Sequence, residues 1–244
     1  MLNPTIPEIL LSLLQVSYVT LIVLVISALL GLILGTILTV IVVKKIPVLK
    51  QITVIFSSFT RSVPIIIQLF IVFYALPPLV ESLGFSTTYI TATVASIVAL
   101  TLYHGGYLVE VFRAAYKAID KGQHEAADSM GYTHIQKFFR ITLPQTIPVS
   151  LPGWGNALIH LIHDTSLVFA LGVVDIMGRG QLIAASSYGI NQVQIFLIIA
   201  AIYIILTFGS DAIIRFFEKK NKKFKLDSGL NTKGGLSYEF CHII

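Results

Sequence analysis

Residues 9–43 read ILLSLLQVSYVTLIVLVISALLGLILGTILTVIVV, without one Asp, Glu, Lys or Arg. A helix rises about 1.5 Å per residue and the hydrocarbon core of a bilayer is about 30 Å thick, so about 20 such residues suffice to cross it. Four further windows lack all four charged residue types: 62–80, 82–109, 141–163 and 181–210. Across the chain 55% of residues are hydrophobic and 12% are charged, with a mean hydropathy of +0.85. A water-soluble domain of this length could not hide so much apolar surface, so lipid is the expected solvent. The windows predict an all-α integral membrane protein with five transmembrane helices.

Cations decide which way the helices run, because Lys and Arg near helix ends favour the cytoplasm. Alternate loops collect Lys44, Lys45, Lys50 and Arg61, then Arg113, Lys117, Lys121, Lys137 and Arg140, then the cations of the C-terminal segment; the opposite side holds only Arg179. This bias places the N-terminus outside and the C-terminus inside. The net charge of +5 is thus a topology signal, and nucleic acid is not an expected partner. KKNKKFK at 219–225 reads as a juxtamembrane anchor on anionic lipid. A transmembrane domain is expected over 1–217, with a cytoplasmic loop at about 114–148 and a basic, flexible tail over 218–244. Cys241, the only cysteine, falls in that tail and allows no intramolecular disulfide. The N-terminus lacks the pattern of a cleaved signal peptide, so the first helix is expected to be retained. No internal repeat is visible, unlike inverted-repeat secondary carriers.

The cytoplasmic loop carries two helix starts. Asp120 with Gln123, and Thr133 with Gln136, have capping-box spacing. Ala126 and Ala127 favour helix, Gly131 supplies a left-handed stop, and Pro144 ends or kinks the second helix. A helix–turn–helix elbow at the membrane surface follows. Its bland alternative is an amphipathic hairpin covering the bundle.

Within this loop Glu125, Ala126, Ala127, Gly131, Ile141, Leu143 and Pro144 fit Glu-Ala-Ala, three residues, Gly, nine residues, Ile-x-Leu-Pro. The segment resembles the cytoplasmic EAA loop of the membrane-spanning subunits of bacterial ABC importers. Arg61-Ser-Val-Pro-Ile-Ile-Ile-Gln68, Tyr107-x-x-Glu110-Val-Phe-Arg113, Gly122-Gln123-x-Glu125 and Asp164-Thr165-Ser166-Leu167 are similar, in order, to motifs of the polar amino acid branch, whose members take histidine, glutamine, arginine or cystine. Two departures matter: Ser62-Val63 replaces the usual Gly-Thr, and His163 stands where Lys is common, so the resemblance does not carry substrate identity. Val174-Asp-Ile-Met-Gly178 is somewhat similar to cystine-type members.

The resemblance implies a type I ABC importer permease architecture in the bacterial cell membrane. It implies coupling to a separate ABC ATP-binding subunit through Gly122, Gln123, Glu125, Ala126, Ala127, Gly131, Leu143 and Pro144. It implies a second permease subunit, identical or paralogous, and an extracytoplasmic amino-acid-binding protein. The chain has no G-x-x-x-x-G-K-[S/T] phosphate loop, so ATP and Mg are expected on the partner and no cofactor on this chain. Candidate pathway or substrate residues are Arg61, Gln68, Tyr107, Glu110, Asn156, His160, His163, Asp164, Thr165 and Ser166.

Asn156, His160, His163 and Asp164 also form a stripe by their own spacing. Polar groups at membrane depth must face the bundle interior, a partner or water, so the stripe reads as a pathway lining or as a helix–helix hydrogen-bond network. His160-x-x-His163-Asp164 has metal-ligand spacing, but no second ligand cluster accompanies it and no metal is expected. Glu110 and Arg113 read as an intrahelical pair, with a gate as the other reading. Gly31-x-x-x-Gly35 reads as close helix packing, and Gly105-Gly106 as close packing or a local bend. The competing function is an ion-coupled secondary amino acid carrier relaying protons through Asp164, the histidines and Glu110. An intramembrane metalloenzyme is the third, and it lacks a His-Glu-x-x-His motif.

Overall fold

A computed structural model describes residues 5–87 and 90–227. Within them the regular structure is helical: α1 (Ile6–Val43), α2 (Leu49–Ser62), α3 (Ile65–Ser82), α4 (Ala92–Lys117), α5 (Lys121–Ser129), α6 (His134–Lys137), a π-helical turn (Phe138–Thr142), α7 (Leu143–Thr165), a 3-10 turn (Val168–Leu171), α8 (Ile176–Ser186) and α9 (Gln192–Asp227). Among the described residues, four helices are long and apolar enough to cross a membrane: α1, α3, α4 and α9 through Lys220. The window at 141–163 lies in α7, which is not among them. Pro148, Pro152, Gly153 and the polar stripe dilute its apolar character.

The bundle wears its apolar residues outward, as lipid contact requires. Leu29, Ile33 and Ile37 on α1 and Ile204, Ile205 and Phe208 on α9 are all exposed. The inner face of α1 is built of small residues, and this lets α4 lie close. A Cβ on Gly31 would meet the His104 side chain at 2.9 Å, and one on Gly35 would meet the Leu108 Cβ at 2.7 Å. Ser27 Oγ donates across the same seam to the Ile97 carbonyl at 3.3 Å. Gly105 faces Leu34 of α1 while Gly106 faces Thr60 of α2. The glycine pair thus serves close packing on two sides.

Helix α2 turns the usual amphipathic logic round. Thr53, Ser57 and Thr60 are buried, whereas Ile52, Ile55 and Phe59 are exposed. Its end at Pro64 frees carbonyls that Gln68 takes up: Gln68 Nε2 donates to the Thr60 and Val63 carbonyls at 3.0 and 2.7 Å. A core of Val23, Leu69, Leu100, Leu161 and Val168 joins α1, α3, α4, α7 and the 3-10 turn. A second cluster, including Leu13, Ile176 and Ile195, joins α1, α8 and α9.

The last apolar window does not form one helix. Its start belongs to α8, and left-handed Tyr188 and Gly189 separate this from α9. Asp175 caps α8, accepting from the Gly178 N–H at 2.8 Å, and Arg179 Nε ties α8 to Ser12 Oγ of α1 at 2.7 Å. Helix α9 runs through residues 218–227, which were expected to belong to a flexible tail. The rest of that tail, with Cys241, lies outside the described residues.

Candidate functional site

The predicted elbow is present, and local chemistry explains its shape. The Asp120 side chain accepts from the Gly122 N–H at 2.6 Å and starts α5. Helix α5 ends in a Schellman arrangement, with the Tyr132 N–H donating to the Ala127 carbonyl at 3.1 Å and the Gly131 N–H to the Asp128 carbonyl at 3.0 Å. This needs a left-handed residue, and Gly131 supplies it with φ +76°. The Thr133–Gln136 capping box forms reciprocally, at 2.9 and 3.3 Å.

Two details differ from the sequence expectation. Gln123 does not complete a capping box with Asp120; its side-chain oxygen instead accepts from Gln145 Nε2, joining α5 to the first turn of α7. Of the two effects expected of Pro144, a helix end does not occur; the helix is instead distorted beside it. The Leu143 N–H reaches back to the Phe138 carbonyl, making one π turn, and Pro144 then sits in the first turn of α7. The wide turn absorbs the missing donor and the ring, so the helix continues.

Ala127 is buried, while Glu125 and Ala126 are exposed. Met130, Ile135 and Phe139 are also exposed at the elbow. Lys137 Nζ reaches across the turn to both carboxylate oxygens of Asp128, at 2.7 and 2.9 Å. This pair was legible in principle: opposite charges flanking a helix-stopping glycine meet when the chain doubles back.

The membrane candidates fall into three groups. Glu110 sits between two cations: Arg113 Nε donates to it at 2.8 Å, and the Arg61 guanidinium lies 4.0 Å away. The intrahelical pair therefore exists, but α2 contributes a third charge. Gln68 is buried, with its amide donating to backbone carbonyls as described above. Asn156, His160 and His163 are exposed along α7, and they diverge. His160 lies beside Tyr107 of α4, with ring centroids 6.4 Å apart. His163 Nε2 is 3.3 Å from Thr207 Oγ1 of α9, a contact the spacing did not reveal. Asp164 has one buried carboxylate oxygen with no partner among the described residues. Thr165 and Ser166 bond back to the Ile162 and His163 carbonyls, each at 2.7 Å. No group of three or more His, Cys, Asp or Glu side chains among the described residues could hold a metal ion.

Comparison with known proteins adds sequence and fold relatives to this geometry. Residues 27–223 match the family described as binding-protein-dependent transport system inner membrane component. The probable amino-acid permease protein YxeN of Bacillus subtilis (strain 168) is 38% identical over 189 residues, covering 78% of this chain and 82% of that protein. The L-cystine transport system permease protein TcyL of the same strain is 36% identical over 205 residues, covering 84% and 85%. A crystal structure of an amino acid ABC transporter with histidines matches with a TM-score of 0.74 and 25% identity, covering 86% of this chain and 94% of that one.

Proposed function

The chain belongs to the family of binding-protein-dependent transport system inner membrane components, and on that premise we propose that it imports polar amino acids as the permease subunit of an ATP-driven transporter. It is a transport subunit, not an enzyme. In this reading α1, α3, α4, α7 and α9 cross the membrane, with the N-terminus outside and the C-terminus inside. A fifth crossing by α7 is supported by its packing against the spanning helices α4 and α9, and its exposed face carries Asn156, His160 and His163. Such a polar face at membrane depth needs water or a second subunit against it. The pathway then forms with a second permease subunit, identical or paralogous, and an extracytoplasmic binding protein delivers the amino acid.

The observation that carries the proposal is the elbow. The elbow, from α5 through the turn and α6 into the π turn, displays Glu125, Ala126, Met130, Ile135 and Phe139 to the outside. The small alanine lets another surface approach, and the apolar side chains give it area to bury. An ATP-binding subunit is the proposed occupant, with ATP and Mg on that partner. Gly122, Gln123, Glu125, Ala126, Ala127, Gly131, Leu143 and Pro144 build the elbow. Arg61, Tyr107, Glu110 and the α7 stripe with Asp164 are the proposed pathway groups. Gln68, Thr165 and Ser166 would shape the pathway through the backbone they hold. An ion-coupled carrier finds no support among the relatives.

Uptake of labelled cystine, arginine, glutamine and histidine into proteoliposomes tests the proposal. These would hold the chain with its co-expressed genomic neighbours. Uptake should need ATP in the lumen and the binding protein outside. Uptake driven by a proton gradient alone would overturn the reading.

A further inference from the structure

If α5 and α6 dock an ATPase, the elbow must carry motion into the membrane, and a loose hairpin would dissipate it. Two side-chain contacts hold its arms together. Near the turn, Lys137 grips both oxygens of Asp128. The Lys137 side chain is only 17% exposed, so this cation is not a freely solvated one. At the base, Gln145 Nε2 donates to Gln123 Oε1 and, at 3.0 Å, to the Ile141 carbonyl. The two attachment points on α5 are five residues apart, about 7.5 Å along the helix. On the other arm, Lys137 and Gln145 stand eight residues apart, on helix that runs unbroken through the π turn into α7. Two separated ties, together with the capped turn at Gly131, leave one arm little freedom to swing about the other.

We propose that Asp128 and Lys137 are positioning residues for energy coupling: their ion pair, with the Gln123–Gln145 bond, braces the elbow so that displacement of α5 moves α7 and the polar residues it carries. This rests on the docking reading above. With the Asp128 side chain more than half exposed, water still screens the pair, and such a pair changes an equilibrium by up to about fivefold. That is too little to decide whether the bundle folds, but enough to change how much ATP hydrolysis is converted into transport.

The test uses the full complex in proteoliposomes with Asp128→Lys, Lys137→Asp and the double charge swap. Two quantities are read: ATPase copurified per permease, and labelled amino acid transported per ATP hydrolysed. All three variants should retain the ATPase. Each single variant should lose about two- to fivefold in transport per ATP, and the swap should recover most of it. Single variants with the parent's ratio would overturn the brace, as would a swap no better than the poorer single variant. A parent chain that fails to retain any ATPase would instead overturn the docking reading, and the brace with it.

Discussion

Gly35 and Gly131 are two glycines doing opposite jobs, in two regions built on different physics. At the α1–α4 seam Gly35 is a matter of volume: an added Cβ would lie 2.7 Å from the Leu108 Cβ and 3.0 Å from the Gly105 carbonyl oxygen. At the elbow nothing lies within 4 Å of such an atom on Gly131, and only its φ of +76° requires glycine. The seam is completed inside the chain. The elbow is complete as a backbone but leaves its apolar side chains facing outward. One region is a finished interface, and the other, on the docking reading proposed above, is half of one.

The sharpest way to break this contrast is to load the seam. Gly35→Leu forces backbones apart, and overpacking of this kind costs about 1–3 kcal/mol or more. It should give the largest loss of Tm in detergent, together with early elution of aggregates on gel filtration. A variant as stable as the parent would mean that the seam has slack.

Gln68→Leu attacks the neighbouring α2–α3 junction without changing volume much. It leaves the Thr60 and Val63 carbonyls without their side-chain donor, at a cost of about 1–3 kcal/mol. Its Tm should fall by less than that of Gly35→Leu. Substitution by Met should lower Tm likewise, since a thioether cannot donate.

Gly131→Val asks the converse question. A left-handed side-chain-bearing residue costs about 1–2 kcal/mol, here spent on the turn and not on the bundle. Tm should stay near the parent's while ATPase copurification drops about tenfold, the equivalent of that strain. Loss of Tm with the ATPase retained would reverse the assignment of the two regions.

The smallest effect is a pH dependence at the elbow. The hydrogen bond from Lys137 holds the Asp128 carboxyl below the usual carboxylate range, with the charges of Lys137, His134 and His124 adding to it. Because the folded value is the lower one, the pair's contribution is complete above the ordinary carboxylate range. It is lost as pH falls through the lowered folded value. Hydrogen exchange at amides 127–132 should therefore show an additional acceleration at the acid end, absent in Lys137→Ala. No such loss should occur near neutral pH.

What could be read from the sequence follows the same division. The elbow was legible because caps and a left-handed glycine act over three or four residues, and Thr133, Gln136 and Gly131 do as their types predict. The seam was legible only as glycine spacing; that Gly31 and Gly35 meet His104 and Leu108 is a fact about a distant segment. Helix α8 was hidden because the apolar run continues through it, and only Tyr188 and Gly189 break the chain. As a helix, α2 was hidden for the opposite reason: its buried face is Thr53, Ser57 and Thr60, polar residues that pack because they are small. Helical spacing located the polar stripe of α7 in sequence, but the different neighbours of His160 and His163, Tyr107 of α4 and Thr207 of α9, depend on tertiary packing.

The π turn at Phe138–Thr142 has a consequence for how change in this chain is tolerated. Each residue of an α-helix carries about 100° of rotation, and a π turn holds one residue more than the α-helical turn it replaces. The elbow and the polar face of α7 are thus two cams on one shaft, and the extra residue sets the angle between them. A one-residue deletion there could leave both ends intact in sequence and helix, yet mistime them.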